Sequence, residues 1–152
     1  MSDKPKPIVV IDTQLILRAA LNDRSLPARL LFDLGHLYML AISPGIYAEA
    51  QDVLNRPKLR RKFTGLTDES VSRTLAVLQG GLQVIPDHIP TISRDPKDDI
   101  FLATANLSKA AYLVTEDQDL LVLHPYEDIQ ILNALDFLNV LLFIEPSDGD
   151  KP

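Results

Sequence analysis

Four carboxylates lie at sequence positions that a parallel sheet would bring close together, and they are the clearest candidates for chemistry in this chain. Asp12 directly follows the apolar run 8–11, and Asp117 lies two residues beyond a second apolar run. Both runs are typical of strands buried on both faces, and α/β proteins bind ligands beyond the carboxyl ends of such strands. Glu49 and Asp99 lie on predicted flanking helices, each beside the apolar stripe. We expect the four side chains to converge at this edge of the sheet.

Carboxylates gathered in one place repel one another, so either their pKa values rise or a cation lies among them. The chain has no cysteine and only three histidines, which are widely separated, so the available donors are oxygen atoms. Oxygen donors suit a hard ion and favour Mg²⁺ or Mn²⁺ over zinc. Such an ion with bound water fits the hydrolysis of phosphodiester or phosphoryl groups. The sequence contains no glycine-rich phosphate loop of the kind found in nucleotide hydrolases.

Each acid also has an interpretation without chemistry. Asp12 or Thr13 could cap the helix that follows, and a glutamate at the edge of an apolar stripe usually bends out to solvent. Acids in a first helical turn favour the helix dipole, which accounts for Asp98 and Asp99 together. We select Asp99 because it shares a helix face with Leu102, whereas Asp98 is predicted to point elsewhere.

The order of predicted elements is typical of an α/β fold. Amphipathic helices alternate with apolar strands, which are predicted near residues 8–11, 38–42, 82–85, 111–115 and 129–132. Such alternation implies right-handed crossovers and a mainly parallel sheet covered by helices on both faces. Between the first two strands we predict a short helix from Ala28 to Leu34 that ends at Gly35. We expect one domain over residues 1–144 and a loose tail over residues 145–152.

Composition narrows the class of protein further. The chain has 152 residues, of which 46% are hydrophobic and 24% charged, as in an ordinary globular domain. A net charge of −6 argues against a protein that coats nucleic acid through its overall field. No apolar run is long enough to span a bilayer, and the first residues do not form a signal peptide. We therefore expect a cytoplasmic protein that does not bind membranes.

One segment departs from this acidic background. Five of the seven residues from Arg56 to Lys62 are basic, a third of all lysine and arginine in the chain. Basic residues beyond a helix C-terminus complement its dipole, which would make the segment a solvated helix end. If the substrate carries phosphate, the segment is the best candidate for backbone contacts. The candidate contact residues are Arg56, Lys58, Arg60, Arg61 and Lys62.

Four motifs together resemble the PIN-domain family over about Ile8 to Leu138. They are Val9-Val10-Ile11-Asp12-Thr13, Tyr47-Ala48-Glu49 with Arg56-Pro57-Lys58, Asp95-Pro96-Lys97-Asp98-Asp99, and Tyr112-Leu113-Val114-Thr115-Glu116-Asp117. Each motif alone is weak, but the four in this order and spacing are specific. The chain is most similar to the toxins of bacterial toxin–antitoxin pairs.

The resemblance implies a three-layer α/β/α fold and a Mg²⁺- or Mn²⁺-dependent ribonuclease acting on single-stranded RNA. It implies a catalytic and metal-binding quartet of Asp12, Glu49, Asp99 and Asp117, with Asp119 as a further metal ligand. Asp119 could instead cap a short helix, so it ranks below Asp117. Thr13, Gln14 and Thr115 would support the site. For partners we expect RNA and an antitoxin protein, with a second copy of the chain as a further candidate.

Two residues depart from the family pattern. Gln14 stands where the family usually has an asparagine that helps to hold the first carboxylate, and Glu116 stands where it often has glycine. Gln14 motivates an alternative from another class, a PIN-fold module that binds RNA or protein without cutting it. A phosphotransfer domain with Asp12 as acceptor is a weaker alternative. It would need a second aspartate at position 14, or an acidic pair and a lysine that the sequence does not offer.

Overall fold

Strand β1 (Ile8–Ile11) lies at the centre of the sheet, and its valines are buried on both faces. The computed structural model describes residues 5–144, so the predicted tail over residues 145–152 lies outside the described residues. β1 pairs with β2 (Met39–Ile42) on one side and with β4 (Tyr112–Val114) on the other. β3 (Leu82–Gln83) and β5 (Gln130–Leu132) are the edge strands. All four strand pairs within this part of the chain are parallel.

Helices cover both faces of this sheet, which confirms the predicted three-layer α/β/α fold class. Between residues 5 and 144 they are α1 (Thr13–Leu21), α2 (Leu26–Ala28), α3 (Pro44–Leu54), α4 (Pro57–Lys62), α5 (Asp68–Gln79), α6 (Asp99–Ser108), α7 (Gln118–Leu121) and α8 (Ala134–Ile144). Within the same range, no helix combines the length and the apolar character that crossing a membrane requires.

The strand order β3-β2-β1-β4-β5 reverses its direction beside β1. The chain first moves outward from β1 through β2 to β3, and then returns to place β4 on the other side of β1. Such a switch point opens a crevice between the two loops that leave β1 and β4 at their carboxyl ends. Asp12 and Asp117 lie on those two loops.

Helix α3 is fixed by two groups of buried side chains. Ile46 and Ala50 belong to the main core, while Leu54 packs in a second cluster that joins α1, α3 and α5. Ser43 caps the helix by accepting a hydrogen bond from the Ile46 N–H, and Pro44 occupies the first helical position as predicted. This packing holds Glu49, one residue before Ala50, at the boundary between the core and the crevice.

The stretch between α1 and β2 corrects one sequence expectation. The predicted helix from Ala28 to Leu34 is instead the single turn of α2, followed by a π-helical turn over Arg29–Asp33 and a 3₁₀ turn over Gly35–Leu37. The hydroxyl of Tyr38 donates to the Leu30 carbonyl at 2.8 Å, which gives that carbonyl a partner outside the helical ladder. Gly35 does not adopt a positive φ, so it does not end a helix in the predicted way.

Candidate metal centre

Asp12 is held at the end of β1 by hydrogen bonds to three other residues. Its N–H donates to the Val114 carbonyl at 3.0 Å, which extends the pairing of β1 with β4. Its Oδ1 accepts from the Gln14 N–H at 3.0 Å, and its Oδ2 accepts from the Thr115 hydroxyl at 2.7 Å. Asp12 therefore caps α1 and also places a carboxylate at the switch point. Its interpretation as a helix cap is compatible with its interpretation as a carboxylate that faces the crevice.

Burial raises the pKa of Asp12, whose side chain is only 4% exposed. The hydrogen bonds from Gln14 and Thr115 lower the pKa, because they favour the charged form. The nearby carboxylates of Asp117 and Glu49 raise it again. The balance is a carboxyl group that gives up its proton less readily than an ordinary aspartate.

Thr115 connects the two strand ends. Its fully buried hydroxyl donates to Asp12 and accepts from the Asp117 N–H at 3.0 Å. Asp117 in turn caps α7 by accepting the Asp119 N–H at 2.9 Å. One hydroxyl thereby fixes the position of the Asp12 carboxylate and of the backbone that carries Asp117.

Glu49 faces the crevice rather than bulk solvent. The Thr13 hydroxyl donates to its Oε1 at 2.7 Å, and the residue is half-buried. This bond links α3 to the first residue of α1, directly beside Asp12. The position at the edge of the apolar stripe, inferred from the spacing to Ile46, places the carboxylate near Asp12, whose pKa it raises.

Asp98 was not selected from the sequence, but it forms a carboxylate cluster with Asp117 and Asp119. One carboxylate oxygen from each of Asp98, Asp117 and Asp119 lies within 4.8 Å of the other two. The Asp98 side chain is 7% exposed, and its Oδ2 makes no hydrogen bond with any residue in the described part of the chain. Burial raises the pKa of Asp98 to about 7, and two smaller contributions act in the same direction: a hydrogen bond that the protonated Asp98 carboxyl donates to Asp117, and repulsion by the negative charge of Asp117.

Asp99, which was predicted to face the other carboxylates, makes its hydrogen bonds with the segment before it. Its Oδ1 accepts hydrogen bonds from the backbone N–H groups of Ile92 at 3.2 Å and Ser93 at 2.7 Å. The sequence pattern predicts a regular α-helix from Pro96, but Pro96–Asp98 forms a 3₁₀ turn and α6 begins at Asp99. A 3₁₀ turn has three residues per turn, so it rotates Asp98 relative to the stripe of α6.

The residues before Asp98 carry a sequence signal that favours Asp98 over Asp99 as the residue facing the crevice. Asp95 accepts the Lys97 N–H, and Pro96 follows it directly, which makes a tight capped turn ahead of the helix. The last residue of such a turn belongs to the loop that approaches the crevice, not to the apolar stripe of the helix that follows.

The donor set of this cluster fits a hard divalent cation. All donors are carboxylate oxygens, and the unpartnered, buried Oδ2 of Asp98 is a polar atom that pays the cost of desolvation without a hydrogen bond. Mg²⁺ and Mn²⁺ accept such ligands, and a cation would offset both the burial and the repulsion that raise the pKa values of Asp12 and Asp98. The residues that could hold the ion are Asp12, Glu49, Asp98, Asp117 and Asp119.

The two departures from the family pattern have defined contacts. Gln14 is exposed, and the group it offers to Asp12 is its backbone N–H, which any residue except proline would supply. Glu116 accepts the Ala134 N–H at 2.8 Å, so it satisfies a donor at the N-terminus of α8. Neither side chain disturbs the hydrogen bonds that hold Asp12 and Asp117.

The basic segment forms a helix of its own, α4, which the sequence analysis did not predict. Two of its cations have protein partners: Arg56 pairs with Asp52 at 2.9 Å, and Arg60 pairs with Asp68 at 2.7 Å. Arg60 also donates to the Leu54 carbonyl at 3.1 Å, so it closes the end of α3. The Lys62 ammonium lies 5.3 Å from the centre of the Phe63 ring, and Lys58 and Arg61 are exposed.

Comparison with known proteins agrees with this architecture. The sequence model of the PIN domain matches residues 8–119. A chain in the crystal structure of VapBC2 from Rickettsia felis bound to a DNA fragment from their promoter is similar in fold, with a TM-score of 0.53. It shares 17% sequence identity, and the match covers 83% of this chain and 98% of that chain. No curated protein sequence matches.

Proposed function

The chain belongs to the PIN domain family, whose members are generally nucleases, and we propose that it hydrolyses the phosphodiester bonds of single-stranded RNA with bound Mg²⁺ or Mn²⁺. The observation that carries this proposal is the buried Asp98 oxygen that has no hydrogen-bond partner among residues 5–144, beside Asp117 and Asp119. A protein that keeps such an atom among like charges accepts a cost that a bound cation removes.

The proposed ligands and catalytic groups are Asp12, Glu49, Asp98 and Asp117, with Asp119 as a further ligand. Asp98 takes the place that the sequence analysis gave to Asp99. Bound Mg²⁺ or Mn²⁺ would supply the Lewis acidity that phosphodiester hydrolysis needs and that these side chains lack.

The supporting residues fix the carboxylates before any ligand arrives. Thr115 and the backbone N–H of Gln14 hold both oxygens of Asp12, and Thr13 holds Glu49. Because burial and the neighbouring Asp117 raise the pKa of Asp98, its carboxyl keeps a proton more readily than an ordinary aspartate and would release it when a cation binds.

For the substrate, we propose that the exposed cations of α4 contact the RNA backbone. Lys58, Arg61 and Lys62 are exposed. Arg56 is exposed as well, but Arg56 and Arg60 are both held in ion pairs. A local positive surface is needed because the net charge of −6 repels a polyanion from the rest of the molecule.

For biological context, we propose that the chain is the toxin of a toxin–antitoxin pair and that an antitoxin protein is its partner. The similarity in fold to a chain of the VapBC2 complex supports this proposal. Expression of the wild-type chain should slow growth of a bacterial host, and Asp98→Asn should relieve that effect. Equal growth inhibition by both proteins would contradict a toxic nuclease activity.

The alternative from sequence is a PIN-fold module that binds RNA or protein without cutting it. The reason for this alternative is that Gln14 replaces the family's asparagine. Asp12, however, accepts a hydrogen bond from the backbone N–H of Gln14, and that bond does not depend on the side chain.

The test is the cleavage of an unstructured RNA in Mn²⁺, measured for the wild type and for Asp98→Asn. We expect cleavage by the wild type only. Binding of RNA without cleavage by the wild type at any Mn²⁺ concentration would favour the alternative.

A further inference from the structure

Arg94 brings a positive charge to the edge of the carboxylate cluster. It lies on the segment between β3 and α6, and its Nε is 3.7 Å from Oδ1 of Asp119. The side chain is 88% exposed, while Asp119 is half-buried. Arg94 is not one of the proposed metal ligands, and it does not belong to the basic helix α4.

The backbone on both sides of Arg94 is fixed. Asp99 accepts the N–H groups of Ile92 and Ser93 directly before it, and Ser93 is buried. The Ser93 hydroxyl accepts the Asp95 N–H at 3.4 Å, and Asp95 caps the next turn. The segment therefore holds the backbone of Arg94 beside the carboxylate cluster and leaves its guanidinium group accessible.

The ion pair with Asp119 does not explain why an arginine is held there. A pair at 3.7 Å with one partner exposed contributes little to folding stability. Its charge also opposes the binding of a cation by the neighbouring carboxylates. The chemistry that benefits is the binding of an anion beside that cation, and a guanidinium group matches the geometry of phosphate oxygens.

We propose that Arg94 is a substrate-binding residue that contacts a phosphate of the RNA next to the cleavage site, and that Asp99 is a positioning residue that holds its segment. The proposal deepens the proposed function and rests on it. Arg94 exchanges its contact with Asp119 for a phosphate oxygen when RNA binds. This assignment also gives a role to the buried carboxylate of Asp99, which the carboxylate cluster does not use.

The first experiment compares Arg94→Ala and Arg94→Lys with the wild type. Binding of a short single-stranded RNA is measured in Ca²⁺, in place of Mn²⁺, at several salt concentrations, and Mn²⁺ affinity is measured separately by calorimetry. For Arg94→Ala we expect weaker RNA binding and a salt slope lower by about 0.7, the value for one phosphate contact on a single strand. Arg94→Lys should keep the slope.

Mn²⁺ affinity separates this role from a structural one. We expect Arg94→Ala to bind Mn²⁺ as tightly as the wild type or more tightly, because a repelling charge is removed. Weaker Mn²⁺ binding would mean that Arg94 only orients Asp119 and would overturn the proposal, as would an unchanged RNA salt slope.

The second experiment compares Asp99→Asn with Asp99→Ala. The amide oxygen of asparagine can accept the same two backbone hydrogen bonds, so Asp99→Asn should keep the wild-type RNA salt slope while Asp99→Ala lowers it as Arg94→Ala does. Loss of Mn²⁺ affinity in both variants would instead make Asp99 a metal ligand and overturn the positioning role. If the wild type binds RNA but does not cut it, the proposed activity fails and the Arg94 comparison still decides this inference.

Discussion

The carboxylate cluster at the β1–β4 switch point and the basic helix α4 are both concentrations of like charge. They differ in how far neighbouring groups and solvent compensate that charge. In α4 and the residue before it, Arg60 and Arg56 have carboxylate partners, and Lys58, Arg61 and Lys62 are exposed. In the cluster, buried Asp12 and Asp98 lie beside half-buried acids, and Asp98 keeps an oxygen without a hydrogen-bond partner among residues 5–144. Like charges that neighbours or water compensate cost a surface little, whereas like charges held close together raise one another's pKa values unless a cation compensates them.

The largest effect should follow from removing charge at both strand ends. The double variant Asp12→Asn/Asp117→Asn should lose cleavage by more than about 100-fold, since even residues that only support metal ligands cost up to that factor. It should also lose the increase in melting temperature that millimolar Mn²⁺ gives the wild type. Cleavage rates and thermal melts with and without Mn²⁺ test both parts. An equal increase in melting temperature for the variant would mean that the ion binds elsewhere.

The next effect concerns the hydroxyl that joins the strand ends. Thr115→Val removes the donor to Asp12 and the acceptor of the Asp117 N–H, so it should cost about 1–3 kcal/mol of unfolding free energy. It should also weaken Mn²⁺ binding by about 10–100-fold.

Thr104→Val is the matched control, because Thr104 is equally buried and bonds to Ser43 away from the acids. It should lower stability and leave Mn²⁺ affinity unchanged. Similar losses of Mn²⁺ affinity in the two variants, measured by calorimetry beside urea unfolding, would contradict a specific role for Thr115.

The dependence of stability on pH should reflect the raised pKa of Asp98. Between its ordinary value of 3.8 and about 7, the folded chain holds a proton that the unfolded chain has released. The contribution of Asp98 to the unfolding free energy is therefore favourable at low pH and is lost as the pH rises through this window. Urea unfolding without metal at pH 5 and pH 8 should show this loss relative to Asp98→Asn. Parallel pH profiles for the two proteins would contradict the raised pKa.

The smallest effects should come from α4, where charge is compensated. Lys58→Ala/Arg61→Ala/Lys62→Ala should change the unfolding free energy by no more than about 0.5 kcal/mol. The same variant should lower the salt slope of RNA binding by about 2, as expected for three contacts on a single strand.

Arg60→Ala is the contrasting variant, because Arg60 bonds to Leu54 and Asp68. It should cost about 1 kcal/mol of stability. Urea unfolding and salt-dependent RNA binding distinguish the two variants. An unchanged salt slope in the triple variant would make α4 a solvated surface.

The sequence predicted the features that depend on local pattern. Asp12 and Asp117 each follow an apolar run, which predicted two carboxylates at the ends of two strands. The alternation of strands and helices predicted the parallel sheet. Glu49 could be placed because its helix has regular spacing from Ile46 to Leu54.

The features that the sequence analysis missed depend on irregular backbone. The 3₁₀ turn before α6 brings Asp98 close to Asp117 and Asp119, while Asp99 bonds to the backbone of the preceding segment. The π-helical turn over Arg29–Asp33 replaced a predicted helix. A helical-wheel argument assumes 3.6 residues per turn, so it fails at such junctions. The helix α4 was missed because its residues are mostly polar and carry no apolar stripe.

The most direct test of the account compares the neighbours Asp98 and Asp99. Melting temperature is measured with and without millimolar Mn²⁺ for the wild type, Asp98→Asn and Asp99→Asn. The account predicts that Mn²⁺ stabilises the wild type and Asp99→Asn, but not Asp98→Asn, because only Asp98 lies in the cluster. Stabilisation of Asp98→Asn together with its loss in Asp99→Asn would contradict the account and restore Asp99 as the ligand.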